Sequence, residues 1–329
     1  MEEIAPPQAI AETDGPIRVQ TKHASLLSAS ILSPWDNADL ESPNLNTISV
    51  NGLDLAVWDW PGREPALLFA HATGFHGRCW DQIARRFPGR RSLAVDFRGH
   101  GRSGKPEPPY HWPAFGHDLA AVAEHLNVRD AIGIGHSMGG HSVVSATALR
   151  PETFASLFLI DPTIFPPEYY GQAPLDASFI RRRRNAWNSP EEMFERFRSR
   201  PPFASWQPEV LRDYCEFGLL CSGEGSYVLA CSPAVEADIY GHSTAPESNL
   251  HREIPSIAQP VVVMRAGTVF TPGVLDLNAS PTAPDLASKF PHGRDVHLKE
   301  RNHFIPMECP ELVAGEIRRL TCSESPSAG

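Results

Sequence analysis

Apolar positions along the chain fall into short runs separated by stripes at helical spacing. Asn46–Val50 and Asp54–Trp60 are strand-like and are joined by Asn51-Gly52, a pair suited to the positive-φ positions of a tight hairpin. Ala66–Ala70, Ser92–Phe97, Ala131–Gly135, Ser156–Ile160 and Val261–Ala266 follow, then Asp295–Glu300 with alternating character. Continuous apolar runs mark strands covered on both faces of a mostly parallel sheet. Between them Leu119, Val122 and Leu126 recur at helical spacing. The segment Met138–Leu149 is rich in Ala and Val and stops at Arg150-Pro151, and Val313, Ile317 and Leu320 form one face of a last helix after Pro310. Strands alternating with helices predict a doubly wound α/β fold.

Residues 162–255 break the rhythm with eleven prolines and little strand signal. Two helices can be read there. Ser189-Pro190-Glu191-Glu192 is a capping box leading into Met193, Phe194 and Phe197, and Val210, Leu211, Tyr214 and Phe217 form a second apolar face ended by Gly218. The expected organisation is an N-terminal extension (1–45), a first core part (46–161), a helical insertion (162–255), and a second core part with a C-terminal tail (256–329).

Composition narrows the function. The 329 residues suffice for a large core without disulfide staples. Net charge is −10, and half of it lies in residues 1–45, where seven acidic residues face Arg18 and Lys22; such a surface repels nucleic acid and anionic lipid. No run approaches the roughly 20 apolar residues of a membrane span, and Met1-Glu2-Glu3 opens no basic-then-apolar leader. Cytoplasmic residence is expected. The six cysteines include no Cys-x-x-Cys pair, so neither a zinc knuckle nor a redox pair is indicated, and free thiols are expected. The oligomeric state is left open.

Four segments carry candidate chemistry. Gly135-His136-Ser137-Met138-Gly139 has the G-x-S-x-G pattern between an apolar strand and a helix, where small neighbours allow the sharp turn that presents a serine Oγ above a sheet. A hydroxyl needs an imidazole base, and His303 alone among the fourteen histidines follows the last strand. The acid that orients the base is Asp161, closing the strand Ser156–Ile160, or else Asp276 or Asp285 in the long loop after Val261–Ala266. An oxyanion hole needs two N–H groups, one from Met138 at a helix start and one from the loop His71-Ala72-Thr73-Gly74-Phe75. Asp96–Ser103 is glycine-rich but lacks phosphate-loop spacing, and reads as a structural loop.

Together, His71–Phe75 with Trp80, Asp96–Ser103, Gly135–Gly140 and Asn302-His303-Phe304 resemble, in order, the motifs of the α/β-hydrolase superfamily. The resemblance covers about residues 46–161 and 256–320, and it implies a cofactor-free, metal-free serine hydrolase acting on a small molecule. It makes Thr73 and Met138 the oxyanion donors and residues 162–255 a cap. Two departures stand out: Ala72 replaces a glycine, and Val269 or Phe270 occupies the usual acid position. The cap's aromatic content suits an apolar or aromatic substrate, with Phe75, His136, Trp187 and Trp206 as expected pocket lining, while Arg181–Arg184 reads as solvated cap surface rather than a carboxylate anchor. The expected reaction is hydrolysis of a carboxylic ester or lactone through an acyl-enzyme. Alternatives are acyl transfer, C–C hydrolysis, lyase or cofactor-free haloperoxidase chemistry on the same triad, or a slow-turnover ligand-binding protein. Ser137 excludes the aspartate nucleophile of haloalkane and epoxide chemistry.

Overall fold

A computed structural model describes residues 42–223, 225–268 and 270–323. Residues 1–41 of the expected extension, Val269 and the side chain of Cys322 lie outside the described residues. The chain runs β1 (Asn44–Val50), β2 (Leu53–Trp60), β3 (Arg63–Ala70), α1 (Asp81–Ala84), β4 (Arg90–Val95), α2 (Trp112–His125), β5 (Ala131–His136), α3 (Met138–Leu149) and β6 (Phe154–Ile160). There follow α4 (Ser178–Arg181), β7 (Ala186–Trp187), α5 (Pro190–Phe197), α6 (Pro208–Phe217), β8 (Leu219–Gly223), β9 (Ser226–Leu229) and α7 (Pro233–Gly241). The chain then returns through β10 (Val261–Ala266), β11 (Gly293–Leu298), α8 (Ile305–Glu308) and α9 (Pro310–Ser323).

Eight strands form one sheet in the order β1-β2-β4-β3-β5-β6-β10-β11. β2 is antiparallel to β1 and β4, and every other pairing is parallel. The hairpin turn uses Asn51 at φ 52° and Gly52 at φ 72°, the left-handed pair that matches strand twist. The continuous apolar runs have the two-faced burial they imply. In β3, Ala66, Leu68 and Ala70 enter a core with Phe115, Leu119 and Val143, while Leu67 and Phe69 enter the opposite core with Trp80, Val313 and Ile317. β6 divides likewise, Leu157 and Leu159 on the first face and Phe158 and Ile160 on the second. Each buried leucine, isoleucine or phenylalanine among them contributes about 1.5–3 kcal/mol by leaving water, so the central strands are the platform for whatever leaves their C-terminal ends.

The segment between β6 and β10 is not purely helical, as the sequence suggested, because β7, β9 and β8 make a small antiparallel sheet. The two expected helices are α5 and α6. Ser189 Oγ accepts from Glu192 N at 3.0 Å, but the Glu192 carboxylate reaches Asn188 N at 2.9 Å rather than the N–H of Ser189. Gly218 ends α6 at φ −79°, so no left-handed cap is used; a Cβ there would lie 2.4 Å from Tyr214 O. The arginine run is also not uniformly solvated. Arg183 is half-buried and pairs with Glu236 at 2.7 Å, and Arg184 pairs with Glu192 and lies over the Trp187 ring. Cys79, Cys215, Cys221, Cys231 and Cys309 are free thiols. Among the described residues no helix is long and apolar enough to cross a membrane.

Candidate active site

β5 delivers Ser137 to the end of the sheet, and α3 begins one residue later. Ser137 sits at φ 56° and ψ −119°, a conformation costing a non-glycine residue about 1–3 kcal/mol. Its neighbours must be small. A Cβ on Gly135 would fall 2.4 Å from Gly139 O, one on Gly139 2.0 Å from Ala70 O, and one on Gly140 2.7 Å from the Pro162 Cβ. The turn is held from behind, because Ser137 N donates to Ile160 O at 3.0 Å and Thr163 N donates to Ser137 O at 3.0 Å.

Asp161 leaves β6 at φ 44° and is fully buried. Its Oδ2 lies 2.6 Å from His303 Nδ1. Its Oδ1 accepts from Ala266 N at 2.9 Å and from the Ser280 hydroxyl at 2.5 Å. Thr282 Oγ1 is 3.3 Å from the same oxygen but 2.8 Å from Pro162 O, so its single proton serves Pro162. An acceptor-only carboxylate against Nδ1 makes that nitrogen the donor and leaves Nε2 with a free lone pair. His303 is further fixed through its backbone, with N donating to Asn278 O at 3.1 Å and its carbonyl accepting from His136 Nε2 at 2.9 Å.

The other two candidate acids lie elsewhere. Asp276 accepts from Asn278 N and Nδ2 within its own loop, and Asp285 pairs with Lys289; neither has a hydrogen bond to His303. Ser137 Oγ is hydrogen-bonded to Thr163 Oγ1 at 3.1 Å, not to the imidazole.

Thr73 and Met138 meet across the site, with Thr73 Oγ1 3.4 Å from Met138 Sδ. Among the described residues, neither backbone N–H is taken by a loop or turn carbonyl. Two buried histidines shape this loop. His71 donates from Nδ1 to Ala72 O and accepts from Phe97 N, while His100 donates to Arg98 O and accepts from Gly74 N at 3.0 Å. Burial pushes the His71 imidazole down to about 4 and that of His100 well below its usual value, so both stay neutral and keep an acceptor nitrogen. Asp96 completes the platform by accepting from Gly77 N, Arg102 N and Trp58 Nε1. Ala72 has no positive φ, so the glycine it replaces is not needed there; Gly74, at φ 81°, is the residue that must lack a side chain.

Of the expected pocket residues, three gather at the site. His136 lies against the His303 ring at 4.8 Å, Phe75 edges onto His136 at 6.2 Å, and Trp206 packs on Phe75 and on Phe304. Burial holds the His136 imidazole well below its usual pKa, so it stands neutral beside the His303 ring. Trp187 is buried in the same apolar cluster as Phe75, Trp206 and Phe304, with its ring edge-on to Phe197. Thr163 and Ser280 were not anticipated. Thr163 stands two residues beyond Asp161, a proximity that could have flagged it, whereas nothing local ties Ser280 to Asp161 across 119 positions. Among the described residues no three His, Cys, Asp or Glu side chains gather as a metal-ligand group.

A strained serine between strand and helix, beside a buried His–Asp pair at the end of a mostly parallel sheet, defines an α/β hydrolase. The chain belongs to the alpha/beta hydrolase family, whose model matches residues 67–316. It is 28% identical over 246 residues to 2-(acetamidomethylene)succinate hydrolase of Mesorhizobium japonicum, covering 73% of this chain and 84% of that protein. It is 38% identical over 108 residues to a putative esterase/lipase of Haemophilus influenzae, covering 32% of this chain and only 37% of that protein. A crystal structure of E-2-(acetamidomethylene)succinate hydrolase superposes with a TM-score of 0.69 at 21% identity, over 85% of this chain and 99% of that one.

Proposed function

We propose that the protein is a serine hydrolase that cleaves a carboxylic ester or lactone bearing a hydrophobic or aromatic group. Ser137 is the nucleophile, His303 the general base and Asp161 the acid that holds the base in its working tautomer. The observation that carries this reading is the 2.6 Å contact between Asp161 Oδ2 and His303 Nδ1, made beside a serine in a strained turn. His303 Nε2 takes the proton as Ser137 Oγ attacks the carbonyl carbon, and the N–H groups of Met138 and Thr73 hold the oxyanion. The proton then passes to the leaving alkoxide, and His303 activates water to release the acid. The half-helical segment between β6 and β10 acts as a cap, and the rings of Phe75, Trp206 and Phe304 supply the apolar surface for the substrate. The esterase/lipase relative supports an ester in the site.

The test is hydrolysis of a panel of p-nitrophenyl esters and aryl-substituted lactones by wild type and Ser137→Ala. Turnover by the wild type that the variant loses, with the fold intact, is expected. Equal turnover by both would remove Ser137 from the reaction. Product formation that rises with added alcohol at constant ester consumption would redirect the same residues to acyl transfer.

A further inference from the structure

Among the described residues Thr163 is the one side chain hydrogen-bonded to the proposed nucleophile, at 3.1 Å from Oγ to Oγ1, and it is buried. Its position is set by the backbone, since its own N–H is tied to Ser137 O. In the sheet, β3 and β6 flank β5 on opposite sides. The loop after β3 brings Thr73, so Thr163, leaving β6, approaches Ser137 from the other flank. Among the described residues the Thr163 hydroxyl has no second hydrogen-bond partner, which leaves its proton free for Ser137.

A serine hydroxyl has one proton and two lone pairs. When a neighbour donates into a lone pair, the serine proton remains available to a base. Such a bond strengthens as the acceptor oxygen gains negative charge. We propose that Thr163 is a further catalytic residue, whose hydroxyl donates to Ser137 Oγ and stabilises that oxygen whenever it carries alkoxide character. The inference rests on the reading of Ser137 as nucleophile. In acylation the Oγ–H bond breaks towards His303 Nε2 while the Oγ–carbon bond forms. In deacylation the Oγ–carbon bond breaks, its electron pair stays on Oγ, and the proton returns from the His303 imidazolium. The Thr163 proton is shared in both steps and transferred in neither.

The experiment compares wild type, Thr163→Ser, Thr163→Val and Thr163→Ala. The rate constant for modification by a fluorophosphonate is measured together with kcat and KM for a p-nitrophenyl ester, and circular dichroism and Tm report the fold. Loss of a hydrogen bond to a charging oxygen predicts roughly a 10- to 100-fold fall in both the modification rate and kcat for the valine and alanine variants. KM should hold steady, and the serine variant should remain within about threefold of wild type. A folded valine or alanine variant that reacts as fast as wild type, or faster, overturns the proposal; a faster one would mean that Thr163 accepts from Ser137 and parks it away from the base. The alanine variant decides the matter if valine disturbs the fold. Wild type that is not modified at Ser137 overturns the nucleophile reading itself, whereas equal modification of wild type and variants overturns only the role of Thr163.

Discussion

Replacing Asp161 by asparagine swaps one oxygen for an amide, and the surroundings decide which way that amide points. The Oδ1 position receives the Ala266 N–H at 2.9 Å and the Ser280 hydroxyl at 2.5 Å. The Ala266 donor is fixed in β10 and cannot accept, so the asparagine oxygen takes this position. The NH2 group then faces His303 Nδ1 at the site of the present 2.6 Å contact. A nitrogen facing a donor must accept, so the imidazole carries its proton on Nε2 and cannot take one from Ser137. The expected fall in kcat is about 10⁴-fold, or about 5 kcal/mol of transition-state stabilisation. Stability should change little, because both donors to Oδ1 keep an acceptor. Asp161→Ala separates the effects: it strands the Ala266 N–H and the Ser280 hydroxyl, each costing about 1–3 kcal/mol when buried without a partner. The assay pairs steady-state ester hydrolysis with chemical denaturation, and Asp276→Asn and Asp285→Asn serve as controls expected to keep wild-type kcat. An Asp161→Asn enzyme within about tenfold of wild type would refute the tautomer argument.

Burial holds His141 down to about 4, with its Nε2 donating to Ser248 O. The unfolded imidazole binds a proton near pH 6.5, so as pH falls from there towards 4 the unfolded state gains protons that the folded state refuses. The stability His141 contributes is therefore complete above about pH 6.5 and is lost below it at about 1.4 kcal/mol per pH unit; His141→Gln should flatten the Tm-against-pH curve in that window, and parallel curves would contradict this. Gly139→Ala should destabilise by at least about 1–3 kcal/mol in urea titration, because the added Cβ would strike the Ala70 carbonyl of β3. Gly315→Ala, in α9 with open space around the added carbon, should stabilise by about 0.5–1 kcal/mol in the same titration.

The central sheet could be read from sequence because burial on both faces leaves uninterrupted apolar runs; Val261–Ala266 matches β10 end to end. Edges blurred where burial and strand geometry part company. Phe97 is buried but lies beyond β4, in the platform loop, and β11 alternates weakly because it closes the sheet with only Val296 and Leu298 partly covered. In the segment between β6 and β10, β7 has two residues and β8 ends in exposed Ser222 and Gly223, too little apolar pattern to register. α7 escaped notice because its inward face carries Glu236, whose partner Arg183 is 53 residues away. At the candidate site, Ser137 and His303 were marked by local grammar. Asp161 could not be separated from Asp276 and Asp285 by order along the chain, since the choice depends on the path of the loop that brings Ser280 to the carboxylate and Asn278 to the His303 backbone.

The most direct test of the account is intact-mass analysis after treatment with a fluorophosphonate, followed by peptide mapping, on wild type and Ser137→Ala. The account predicts one adduct per chain, on Ser137, absent from the variant. A folded wild type that takes up no adduct, or carries it on another residue, would contradict the assignment of Ser137 as an activated nucleophile.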